Sequence, residues 1–150
     1  EQLAAMRVAR GRGAWWPRTV GGTSQDMMAG WCNGAAGHVF TFTAAFDLMR
    51  DARWLDVARE AAWNAWSEPL HTADLCCGSA GRAYALLNFY RHTGEHEWLS
   101  RARQLAIHAT THAKETSSRA HSLWKGELGV AVLLAELAAP EESRMPLFEA

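Results

Sequence analysis

Three cysteines stand where they could share one metal ion. Cys32, Cys76 and Cys77 are the only cysteines in 150 residues. Trp31-Cys32-Asn33-Gly34-Ala35-Ala36-Gly37 matches Leu75-Cys76-Cys77-Gly78-Ser79-Ala80-Gly81, and Trp124-Lys125-Gly126-Glu127-Leu128-Gly129 keeps the same Gly-x-x-Gly core. Cys32 and Cys76 each sit two residues before their first glycine, and Cys77 fills the slot of Asn33. Stacking neighbouring units would gather all three sulfurs at one end of the helices that follow, near positive dipole ends that favour thiolate. Three thiolates with an open fourth position form the donor set of a catalytic zinc, because a closed structural site needs four ligands. An odd cysteine count argues against a disulfide framework. Besides metal binding, it leaves a reactive thiol or plain core packing, since free cysteine is among the most buried residue types.

Other residues offer weaker chemistry. His108 and His112 have the i, i+4 spacing of two ligands on one helix face, but no glutamate adjoins His108 to make a metalloprotease motif, and solvated outer-helix histidines are the better reading. His38 follows Gly37 and could point toward the cysteine end, against a packing or capping role; His71 and His121 precede their loops and could approach the mouth or simply be exposed. Trp15, Trp16, Trp31 and Trp124 cluster before the turns, where packing between units is favoured over a peptide groove. Thr23 and Ser24 have no triad context. Asp26, Asp74 and Glu127 lie near loop positions and raise the possibility of a glycosidase with paired carboxylates, a chemistry that leaves three register-matched thiols unexplained.

The elements that position these residues repeat. The first glycines are 44 and then 48 residues apart, and Arg53-Trp54-Leu55-Asp56-Val57-Ala58-Arg59 returns 44 residues later as Glu97-Trp98-Leu99-Ser100-Arg101-Ala102-Arg103. From His38 to Arg50, Phe40, Ala44 and Leu48 recur at steps of four, widened by Val39 and Phe46. Ala83 to Tyr90 is apolar on most sides, which predicts a helix buried nearly all round, broken at Gly94. Trp54, Leu55, Ala58, Ala61, Ala62 and Ala65 form one stripe, repeated by Trp98, Leu99, Ala102, Leu105 and Ala106. Each unit therefore pairs a buried inner helix with an amphipathic outer one. With no strand-like alternation of useful length, the expected fold is all-α, a stack of helical hairpins forming a solenoid or a closed α/α toroid. The glycines are expected to permit positive φ and close approach of a neighbouring loop.

Composition removes several function classes. The formal net charge is -1, with 15 basic residues against 16 acidic ones and no basic run, so no electrostatic footprint for nucleic acid or an anionic membrane exists. No apolar stretch approaches the roughly 20 residues that span a bilayer, and EQLAAMRVARGRG lacks the apolar core of a secretory signal. A cytoplasmic protein is the expectation.

The two Cys motifs in Gly-x-x-Gly register, with the third Gly126-x-x-Gly129, resemble the lanthionine synthetase C-like (LanC-like) family, from about Trp15 to the Met145-Pro146-Leu147-Phe148-Glu149 tail. The resemblance implies an α/α toroid of about seven hairpins holding one zinc, of which residues 1–150 would be a partial cyclase domain. Its units would lie near 34–75, 78–123 and 126–150, after the end of an earlier one. It implies zinc on Cys32, Cys76 and Cys77, and addition of a peptide cysteine thiol to dehydroalanine or dehydrobutyrine to close a thioether ring. Many members have Cys-His-Gly where this chain has Cys76-Cys77-Gly78; the Cys-Cys form is similar to a subset of multifunctional synthetases. The substrate would be a dehydrated precursor peptide, with a kinase-like or dehydratase region expected in the same full-length protein. The family's usual acid histidine would lie upstream, leaving His38 and Asn33 as candidates here. Met28 occupies a position where the family often has a basic residue. Two other outcomes stand beside this one: a non-catalytic, zinc-containing peptide-binding module, and addition of glutathione to dehydroamino acids.

Overall fold

The computed structural model describes residues 1–22, 27–116 and 118–149. Among these, a short helix α1 (Gln2–Ala5) leads into two strands, β1 (Val8–Arg10) and β2 (Gly13–Trp15), followed by five longer helices: α2 (Ala35–Met49), α3 (Arg53–Ser67), α4 (Ser79–Thr93), α5 (His96–Thr116) and α6 (Glu127–Glu136). The mostly helical architecture is the expected one. The β1–β2 hairpin was not anticipated, because strands of three residues are too short to show alternation. It pairs Val8 with Trp15 and Arg10 with Gly13, and turns through Gly11, whose φ of 58° suits glycine. Gly13 lies against α3 so closely that a Cβ there would sit 2.7 Å from the Glu60 carbonyl oxygen.

The helices pack as hairpins, α2 on α3 and α4 on α5. The inner helices α2, α4 and α6 are neighbours in that order. Both outer-helix stripes are buried as the periodicity predicts, Leu55 only in part. Helix α4 is enclosed from Ser79 to Tyr90 because α2, α3, α5 and α6 all contact it. It stops at Gly94, which takes a φ of 69°. In α2 the stripe differs from expectation: Val39, Phe40, Phe42 and Thr43 are buried, whereas Ala44 is exposed and Leu48 is 84% exposed. The four-residue step marks a face that is buried only at its start, at Phe40.

The inner helices start at Ala35 and Ser79, earlier than their apolar runs suggest, so the second glycine of each motif lies inside the first helical turn. The glycines are there for close approach. Gly34, Gly78 and Gly126 have φ of 178°, -96° and -132°, so the expected positive φ is absent. A Cβ on Gly37, Gly81 or Gly129 would instead lie 2.2, 1.9 or 2.2 Å from the carbonyl oxygen of Trp31, Leu75 or Leu123, respectively. Each of those carbonyls is three residues before the first glycine of its own motif, so the loop curls back onto the helix it opens. Gly81→Ala is expected to force the Leu75 carbonyl, and Cys76 beside it, out of place, destabilising the fold by about 3 kcal/mol. Denaturant unfolding measures this; a loss below about 1 kcal/mol would show that the loop yields freely.

One charged side chain is built into this core. Arg82, in the second turn of α4, is 2% exposed. Its Nε donates to the Ala65 carbonyl (2.5 Å), and its two terminal nitrogens donate to the carbonyls of Pro69 (3.0 Å), Trp66 (3.1 Å) and Glu68 (2.7 Å). These acceptors are the unpaired carbonyls at the C-terminal end of α3 and just beyond, where a cation is favoured. Burial lowers the guanidinium pKa to about 10, against the opposing pull of Glu68.

Candidate metal centre

The three Gly-x-x-Gly loops lie side by side at the N-terminal ends of α2, α4 and α6, joined by one repeated backbone bond. The Cys32 N–H donates to the Cys76 carbonyl at 3.2 Å, and the Cys76 N–H donates to the Trp124 carbonyl at 3.0 Å. Cys32, Cys76 and Trp124 hold the same position in their loops, so each loop donates to the next. Trp31 donates its own N–H to the Cys76 carbonyl at 3.0 Å and stacks on Trp124, with ring centroids 4.7 Å apart.

This stitching brings the three sulfurs together. Cys77 Sγ is 3.6 Å from Cys32 Sγ and 3.7 Å from Cys76 Sγ. All three lie within 4.8 Å of one another and form the one such group found among the described residues. The cysteines are free. Three tetrahedral zinc–thiolate bonds of about 2.3 Å place their sulfurs about 3.8 Å apart, so the spacing fits zinc and is far from a disulfide. Cys32 is exposed and the other two are half-buried, which leaves a side open to an incoming ligand. Burial first, then hydrogen bonding with Cys76 and Cys77, pushes the Cys32 thiol up to about 12. Burial also raises Cys77, but hydrogen bonds from Lys125 and from the other two cysteines outweigh it and hold this thiol below its ordinary value.

Lys125 was not singled out in the sequence. Its Nζ lies 3.1 Å from Cys77 Sγ, and the contact raises the lysine above its ordinary range. The signal was available, since Lys125 stands in the register position of Asn33 and Cys77.

Cys32 opens onto a cavity of about 500 Å³ lined also by Trp31, Asn33, His38, Thr41 and Phe148. The structure brings His38 and Asn33 to the same cavity as Cys32. The His38 ring stacks on Trp16, with centroids 4.4 Å apart. Burial holds the His38 pKa below its ordinary value, against an opposing backbone hydrogen bond with Gly34. Phe148 reaches the cavity because the tail folds back: the Glu149 carboxylate accepts from Asn88 Nδ2 (2.8 Å), the Met145 N–H (2.8 Å) and Arg91. Periodicity carries no trace of this long-range contact. Cys77 borders a smaller cleft of about 260 Å³ with Met28, His71 and Arg82.

The remaining candidates have local roles. Asp74 is buried and accepts the Cys77 N–H at 2.9 Å, bracing the cysteine loop. Glu127 accepts the His121 N–H at 3.0 Å and pairs with its ring. Thr23, Ser24 and Asp26 lie outside the described residues. His108 and His112 stack on each other at 4.2 Å. They are half-buried rather than solvated, because the His108 ring meets Ser79 Oγ at 3.0 Å. Trp15 and Trp16 are core residues, as the packing reading expected.

Fold and site together define a helical-hairpin repeat protein with a three-cysteine centre at the joined ends of its inner helices. The sequence profile of the lanthionine synthetase C-like protein family matches residues 5–150, and the chain belongs to that family. It is 29% identical over 133 residues to glutathione S-transferase LANCL1 of Danio rerio, covering 85% of this chain and 33% of the relative. It is 31% identical over 139 residues to LanC-like protein GCL1 of Arabidopsis thaliana, covering 85% of this chain and 32% of the relative. The chain thus spans about a third of the length of these relatives. No helix among the described residues is long and apolar enough to cross a membrane.

Proposed function

We propose that this chain carries the zinc centre of an enzyme that joins a thiol to a dehydroamino acid, with a cysteine of a dehydrated precursor peptide as the thiol, so that lanthionine or methyllanthionine rings form. The observation that carries this is the trio of sulfurs 3.6–3.7 Å apart beside an open cavity. Cys32, Cys76 and Cys77 would hold the ion. When bound, zinc supplies a Lewis acid that keeps an incoming thiol deprotonated near neutral pH. In the addition, the sulfur–Cβ bond forms as the carbon–carbon π bond of dehydroalanine or dehydrobutyrine breaks, and a proton is delivered to Cα. His38 and Asn33, which line the same cavity as Cys32, would supply the proton donor and a polar contact to the substrate carbonyl. Trp31 and Phe148 give the cavity apolar walls.

A second reading has glutathione as the thiol. The name of the zebrafish relative, glutathione S-transferase LANCL1, favours it, and the centre would serve either thiol.

Purified reduced protein is expected to hold one zinc per chain, measured by atomic emission; clearly less than one equivalent defeats the metal assignment. Given a dehydrated peptide containing a cysteine, the ring-forming reaction removes a free thiol with no change in mass. Transfer adds the mass of one glutathione. A zinc-loaded full-length protein that does neither is the non-catalytic module.

A further inference from the structure

We infer that Lys125 is a positioning residue of the metal centre, its ammonium donating a hydrogen bond to the Cys77 thiolate that offsets the charge of the three-sulfur set. This rests on the zinc reading above. Three observations support it. Lys125 Nζ is 3.1 Å from Cys77 Sγ, a charge-assisted contact to the sulfur that bonds both of the other two. The contact is fixed by backbone, because the Cys76 N–H to Trp124 carbonyl bond locks the third loop against the second and the Lys125 N–H is held by Ser122 Oγ at 3.1 Å. Lys125 also stands directly before Gly126, the slot that supplies Cys77 in the preceding unit. The repeat thus delivers a ligand from one loop and that ligand's counter-charge from the next.

The arithmetic of charge gives the contact its purpose. A divalent cation with three thiolates carries a net charge of -1, and a fourth thiolate entering the open position makes it -2. An ammonium beside Cys77 returns the assembly to -1. A hydrogen bond to a thiolate draws electron density from that sulfur, so Cys77 becomes the less nucleophilic, retained ligand. The incoming sulfur, without that donor, keeps its reactivity.

The test uses the reduced protein with zinc and, separately, cobalt(II), whose thiolate-to-metal charge-transfer band reports electron density on sulfur. Lys125→Met should weaken zinc about 10–100-fold in competition with a chromophoric chelator, the usual scale for losing an outer-shell partner. It should also shift the cobalt band to longer wavelength. Lys125→Arg should restore both. In a Cys77→His background, where the thiolate acceptor is gone, Lys125→Met should change affinity less than threefold. A purely structural lysine would move thermal unfolding and leave the cobalt band in place, which overturns the inference. So does unchanged zinc affinity in Lys125→Met. If the wild-type protein takes up neither zinc nor cobalt, the zinc reading falls and this inference with it, a result distinct from metal uptake that is indifferent to Lys125.

Discussion

Cys77→Ala is expected to lower zinc retention from about one ion per chain to near none after gel filtration, and with it the proposed thioether-forming activity. Cys77 Sγ is the sulfur within 3.7 Å of both others, so its loss leaves two thiols with no shared neighbour. The effect should exceed the roughly 10–100-fold that losing an outer-shell partner costs, because a bond to the metal itself is removed. Cys77→His should keep the ion, since imidazole is an ordinary zinc ligand, while bringing one less negative charge. Metal analysis of both variants beside wild type decides it. A full equivalent of zinc in Cys77→Ala would show that the ion sits elsewhere.

Arg82→Met should destabilise the protein by about 3–5 kcal/mol, the range seen when one partner of a buried charged contact is removed. Its volume is partly kept by methionine, so the loss comes from the abandoned carbonyls of Ala65, Trp66, Glu68 and Pro69. Each buried, unpaired carbonyl costs about 1–3 kcal/mol, discounted where water can enter. Lysine cannot serve four acceptors from a single nitrogen, so Arg82→Lys should recover only part of the loss. For a chain of this size the midpoint of thermal unfolding should fall by about 10 °C or more. A fall under about 2 °C would mean that the end of α3 finds other partners.

The fold was legible where its signal was periodic. Two outer-helix stripes, a 44-residue step and three Gly-x-x-Gly turns are local patterns written more than once, and stacking them places Cys32, Cys76 and Cys77 together without further information. The hidden parts depend on contacts between distant segments. Arg82 sits within a run of small and apolar residues, and nothing local shows that it caps another helix. Phe148 enters the cavity only because Glu149 meets Asn88 and Arg91. Asp74 looks like a free carboxylate until its bond to the Cys77 N–H is seen. At the Gly-x-x-Gly turns the repeat needs missing side chains rather than a left-handed backbone. Lys125 shares the register of Cys77, but lysine is not a metal ligand and so carries no metal-site signal of its own.

The loop-to-loop backbone bonds also bear on how the molecule comes apart. Cys32 and Cys76 belong to different hairpins, 44 residues apart along the chain, so an ion joining them closes a long loop. In the chain-entropy picture a crosslink of that span is worth about 4 kcal/mol against the unfolded state. The centre would then be a removable clasp as well as a reaction site. Stripping the metal should loosen the seam between α2 and α4 before it disturbs either hairpin, and amides of the three loops should be the first to exchange with solvent.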